Sequence, residues 1–152
     1  MYTFTASFLT SDHSPLTSHI ICQLMLMPSM YESIIRHYID AYNHFDLEGM
    51  LRGLHPDIVF ENISGGQVTL RLEGIESFRE QAEGAQPVFS SRRQEIVHLT
   101  PVGDKVEVDI RYTAILAVDL PDGPKKGDAI GLEGRSIFQF LSDKIIRITD
   151  IS

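Results

Sequence analysis

The feature that most limits how this chain can fold is a change of hydrophobic period part-way along it. Ile34, Ile35, Tyr38, Ile39, Tyr42 and Phe45 recur every three to four positions, the spacing of one helix face. From Arg92 onward the period becomes two. Over residues 105–119, Val106, Val108, Ile110, Tyr112 and Ala114 fall on one face, with Glu107, Asp109, Arg111 and Thr113 on the other. Helices that come early and long strands that come late predict an α+β fold, three helices packed on one face of an antiparallel sheet. A strongly curved sheet around those helices makes a cone, and its mouth is the natural pocket.

Local signals fill in this outline. Ser29 with Glu32 fits a capping box opening the first helix. Asp46 can cap a second, shorter helix whose Met50, Leu51 and Leu54 face inward. His55-Pro56-Asp57 is expected to end it in a turn. Residues 58–63 predict a strand with Ile58, Phe60 and Asn62 on one face; Gly65-Gly66 breaks it, and residues 68–72 return. After Gly74 a third helix carries Ile75, Phe78, Ala82, Ala85 and Phe89. Strands are predicted over residues 92–100, 105–119, 130–141 and 144–151, with residues 120–127 a turn-rich loop. Ser136, Phe138 and Phe140 align on one strand, and Ile146, Ile148 and Asp150 share a face of the last.

Composition removes several function classes. The 152 residues fit one domain, and the net charge of −8 argues against nucleic acid, whose binding needs clustered Lys and Arg. Arg92-Arg93 and Lys125-Lys126 are pairs rather than patches and read as solvated surface. The longest apolar run, residues 20–27, is too short to span a bilayer. One cysteine, Cys22, cannot form an internal disulfide, so a cytoplasmic home is expected. Residues 1–28 differ in composition from the rest and are expected to be a poorly ordered extension before a domain at residues 29–152; a start at Met27 or Met30 is the other reading. The first basic residue is Arg36, so a secretory signal is not expected. None of the six histidines shows metal-ligand spacing, and no metal or cofactor is expected.

The run from Arg36-His37-Tyr38 through Asn43, Asp46-Leu47-Glu48-Gly49 and Val59-Phe60-Glu61-Asn62 to Gly65 resembles the opening of ketosteroid isomerases. With the order of elements, the chain from Met30 to Ile151 is similar to the nuclear-transport-factor-2-like superfamily, in its SnoaL-like and ketosteroid-isomerase-like branches. The resemblance implies a cone-shaped, cystatin-like α+β barrel and a homodimer. It places Tyr38 on the oxyanion tyrosine, Asn62 where the isomerase base stands, and Ser136 where a protonated aspartic acid stands. An amide cannot accept a proton at neutral pH, so the resemblance implies the scaffold and one donor without the ketosteroid reaction. By similarity to SnoaL-like cyclases, Asp150 becomes the acid/base group, tuned by apolar neighbours.

The expected machinery is thus Asp150, Tyr38 and Asn62, with Tyr42, Phe60, Phe89, Tyr112, Ser136 and Phe138 contacting a small apolar molecule. Each has a structural alternative. Asp150 could be a frayed terminus or a partner of Arg147, Tyr38 a core residue, Asn62 a turn cap and Ser136 an ordinary strand serine. Two functions follow: an isomerase, cyclase or hydrolase working by acid/base chemistry, or a non-catalytic binding or dimerisation module of the same fold.

Overall fold

The computed structural model describes the backbone of residues 15–152 and the side chains of residues 29–152. Helices α1 (Pro15–Asn43) and α2 (Leu47–Arg52) lead into β1 (Leu54–Ser64) and β2 (Gln67–Glu73). Helix α3 (Ile75–Ala85) and a 3-10 turn (Gln86–Val88) follow, then β3 (Phe89–Val102), β4 (Lys105–Leu116), β5 (Ala129–Leu141) and β6 (Lys144–Ile151). The six strands form one sheet in the order β2-β1-β6-β5-β4-β3. The expected α+β architecture, a curved sheet with helices, is what the chain adopts. The sheet is mixed rather than wholly antiparallel, because β1 pairs with β6 in parallel. The connection between those two strands spans most of the domain, so nothing requires the reversal that a hairpin would impose.

Three local expectations change. Helix α1 begins at Pro15, so Ser29 lies inside it and does not cap its start. Glu32 instead accepts from Arg36 Nε one turn later, at 2.9 Å. The expected loose extension falls partly on residues 1–14, which lie outside the described residues, and partly on this helix. His55-Pro56-Asp57 is not a turn but part of β1. The β1–β6 register shifts between Leu54 and Val59, and an irregular stretch of ladder is where a strand tolerates a residue with no N–H. Helix α3 stops at Ala85, and Phe89 starts β3 instead of finishing the helix. Pro87 cannot donate to an α ladder, which explains the early stop.

The core lies between α1 and the inner sheet face. Ile35, Tyr38 and Ile39 pack with Ile58, Val106, Val108, Phe138, Phe140, Ile145 and Ile148, all buried. The Tyr31 ring stacks on Phe140, centroids 3.9 Å apart. Each such side chain contributes about 1.5–3 kcal/mol on burial. The α1–α2 corner is fixed by the Asp46 carboxylate, which accepts from the Gly49 amide at 3.0 Å. Any Cβ at Gly49 would collide with that carboxylate, so the cap requires glycine there. The chain enters the corner through Phe45, which holds a left-handed φ of 57°.

Candidate functional site

The end of α1 is pinned to β3 by a side chain acting as a strand partner. Asn43 Nδ2 donates to the Gln94 carbonyl at 3.0 Å, and the Gln94 amide donates to Asn43 Oδ1 at 2.7 Å. This contact faces the aromatic end of α1 toward the inner surface of β3, β4, β5 and β6. Two hollows of about 190 Å³ each open there. The inner one is walled by Tyr38, Phe60, Leu72, Phe78 and Arg92; the outer one by Asn62, Tyr112, Leu132 and Ser136. Tyr42, Gln94 and Asp150 line both and form the wall that the two share.

Asp150 stands on β6 opposite Ser136 of β5 and Asn62 of β1. The Ser136 hydroxyl donates to Asp150 Oδ1 at 2.6 Å. Burial raises the Asp150 carboxyl to about 6, and the serine bond opposes that rise. Arg147 does not neutralise it, because that guanidinium pairs with Glu61 at 2.7 Å. Asp150 is therefore neither frayed nor ion-paired with its neighbour. Tyr38 is buried; burial and then the Asp150 charge push its phenol well above the usual tyrosine value. It remains a protonated donor at any physiological pH. Burial likewise raises Tyr42 and Tyr112, whose hydroxyls share a hydrogen bond at 3.3 Å.

The hollows sort the residues expected to contact a ligand. Tyr42 lines both, Phe60 walls the inner hollow, and Tyr112 and Ser136 wall the outer one. Phe138 is a correction: only 1% exposed, it packs edge-on against Tyr38 at 5.8 Å, filling the core behind the pocket. Phe89 lines neither hollow and meets the edge of Tyr112 at 6.4 Å from the strand's start. Asn62 lines only the outer hollow, and its amide donates across to Thr69 Oγ1 at 2.7 Å. Its donor is thus engaged on β2, away from Tyr38's hollow.

Sequence reasoning missed Arg92, expected to be solvated but 6% exposed. Its guanidinium lies 3.7 Å from the centre of the Tyr42 ring and 4.5 Å from that of Phe45. The signal was present: Arg92, Gln94 and Ile96 alternate with exposed Arg93, Glu95 and Val97, so Arg92 shares its face with an apolar residue. Among the described residues, no cluster of three His, Cys, Asp or Glu side chains could hold a metal ion. No described helix is long and apolar enough to cross a membrane.

This arrangement is matched at the family level. A profile of the SnoaL-like domain matches residues 35–148, most of the chain. The chain belongs to the SnoaL-like family, and its fold is the NTF2-like one. No curated protein shows significant sequence similarity to it. A candidate polyketide cyclase from Xanthomonas campestris pv. campestris superposes with a TM-score of 0.69 at 18% identity, covering 82% of this chain and 90% of that one. An LEH-like epoxide hydrolase from M. tuberculosis gives 0.66 at 15% identity, over 81% and 82% of the two chains. TerC, co-crystallised with polyporic acid, gives 0.65 at 20% identity, over 80% and 90%. At these identities the likeness establishes the fold alone.

Proposed function

We propose that this SnoaL-like chain is an acid/base enzyme that moves a proton on a small ring-bearing substrate, with Asp150 as the proton carrier and Tyr38 as the hydrogen-bond donor. One observation carries this reading: a carboxyl raised to about 6 stands in the wall of two hollows, one of them lined by a phenol that stays protonated. At pH 7 most of the Asp150 carboxyl is ionised and can accept a proton, while its conjugate acid is accessible enough to return it. On a ketone, the carboxylate would take an α-proton, the C–H electron pair would pass into an enolate, and Tyr38 would hydrogen-bond the enolate oxygen. Reprotonation at the same or another carbon would regenerate the carboxylate. Isomerisation and cyclisation both begin with this step, and the superposed cyclase and hydrolase structures are consistent with such chemistry on this fold.

The test needs no knowledge of the natural substrate. In D2O, NMR follows loss of the α-protons of 2-tetralone, a bicyclic ketone. Exchange above the buffer rate is expected, rising through about pH 6 and lost in Asp150→Asn. Exchange that survives intact in Asp150→Asn would remove Asp150 from the mechanism. The engaged amide of Asn62 favours a second reading, a ligand carrier that lacks the isomerase base. Tight binding of cyclic ketones with no exchange on any of them would select it.

A further inference from the structure

Arg92 leaves one feature of the inner hollow without a structural reason. Its Nε donates to the Tyr42 carbonyl at 2.9 Å, but that carbonyl already receives the Phe45 amide at 3.2 Å. Its Nη2 is buried and has no hydrogen-bond partner among the described residues. Arg36, Arg71, Arg79, Arg111, Arg135 and Arg147 each reach a carboxylate, and each is far more exposed. Arg92, the most buried of them, forms no ion pair among the described residues. The rings of Tyr42 and Phe45 compensate part of the charge, but they do not satisfy an N–H. A buried cation with an unpaired donor is costly, and chains keep one where something else completes it.

Asp150 does not complete it. Its carboxyl accepts from the Ser136 hydroxyl and makes no ion pair with the guanidinium among the described residues. The same hollow is therefore lined by a cation and a carboxyl that form no ion pair, together with apolar Phe60, Leu72 and Phe78. A ligand with an ionised oxygen at one end and a ring system beside it would meet all three features.

We infer that Arg92 anchors an ionised oxygen of the substrate, so that the substrate class is an apolar ring system bearing a carboxylate or an ionised enol. The inference rests on the acid/base reading of the same pocket and changes the ligand expected from the sequence, which was simply apolar. An anion held by Arg92 sets the ring in the inner hollow and leaves a carbon of it for Asp150. A planar guanidinium suits such an oxygen better than an ammonium, because it offers paired donors in fixed directions.

Two matched probe pairs test this by calorimetry at pH 7: 2-naphthoate against 2-naphthamide, and ionised 2-hydroxy-1,4-naphthoquinone against 1,4-naphthoquinone. At least one anion should bind about tenfold or more tightly than its neutral partner, and the preference should vanish in Arg92→Met and survive in part in Arg92→Lys. Preference for naphthoate alone identifies a carboxylate, and for the hydroxyquinone alone an enol. Equal affinities within both pairs, no binding of either anion at millimolar concentration, or an unchanged preference in Arg92→Met would overturn the inference. If Arg92→Met fails to fold, wild-type thermal shifts decide: both anions stabilising the protein no more than their neutral partners would overturn it equally. In Asp150→Asn the anion preference should persist while ketone exchange is lost, so the anchor and the acid/base reading fail separately.

Discussion

The two faces of one sheet handle charge in opposite ways. On the outer face, Arg111 sits between Glu95 at 3.9 Å and Glu133 at 3.6 Å, its direct partners on the neighbouring strands. Arg135 sits between Asp109 at 2.9 Å and Glu107 at 3.5 Å, and both arginine side chains are 50% exposed. On the inner face, Arg92 and Asp150 line one hollow, and among the described residues neither has an opposite charge within ion-pairing reach. Outer charges with partners and solvent need no further reason than solubility and strand register. Inner charges without partners weaken the fold, and their place in the pocket is the ground for the ligand proposed there.

The largest effect that would break this contrast concerns Asp150. Replacement by Asn keeps the shape and removes the base, so ketone exchange should fall by about 10²–10⁴-fold if the carboxylate carries the proton. The same change should leave its mark on stability. The folded carboxyl titrates near 6 and the unfolded one near 3.8, so the folded state holds the proton more tightly. Below 3.8 both states are protonated, and the group opposes folding least. As pH rises from 3.8 to 6 the unfolded chain releases its proton first, and stability falls; above 6 the full cost is present. Urea unfolding should thus show wild type losing up to about 2–3 kcal/mol between pH 4 and pH 7 relative to Asp150→Asn. Parallel pH curves for the two proteins would mean that Asp150 is not desolvated.

How much of this was legible beforehand depends on which link of the chain is asked about. The alternation of Val106, Val108 and Ile110 with Glu107, Asp109 and Arg111 is a period-two signal, and it placed both faces of β4 correctly. In β6 Ile148 and Asp150 keep their alternation, but Ile145 rather than the expected Ile146 joins the core, because the β5–β6 register shifts beside it. Composition alone misled at Arg92, where a neighbouring arginine suggested a surface pair although the strand's own alternation sends the two to opposite faces. Pro56 looked like a turn because local chemistry cannot show that β1 loses its register beside β6 at that point. The difference between Phe60, which walls a hollow, and Phe138, which fills the core behind it, lies in three-dimensional packing against Tyr38 and has no counterpart in spacing.

A smaller effect tests whether Arg92 is there for the fold. Arg92→Met keeps the aliphatic stem between Tyr42 and Phe45 and removes a charge without an ionic partner. The Tyr42 carbonyl keeps its bond from the Phe45 amide, so no acceptor is orphaned. The variant should match wild type or gain about 1–2 kcal/mol in chemical denaturation, because replacing a buried charge by a hydrophobe is often neutral or stabilising. A loss of several kcal/mol would make the guanidinium a structural clamp on the end of α1 and leave the wild-type thermal shifts to decide whether it also anchors a ligand.

The smallest effect belongs to the outer face and sharpens the comparison from its other side. Arg135 and Asp109 are register partners across β4 and β5, and their side chains are 50% and 41% exposed. A double-mutant cycle through Arg135→Ala and Asp109→Ala should give a coupling of about 0.2–1 kcal/mol. Added salt should shrink it, since exposed charges are screened within roughly 10 Å at moderate ionic strength. Glu107, 3.5 Å from the same guanidinium, would compensate part of the loss in Asp109→Ala, so the cycle should fall toward the low end of that range. A coupling well above 1 kcal/mol that resists salt would show that the outer charges are desolvated in solution, covered by something. The two faces would then differ in what covers them rather than in whether charge is needed for binding.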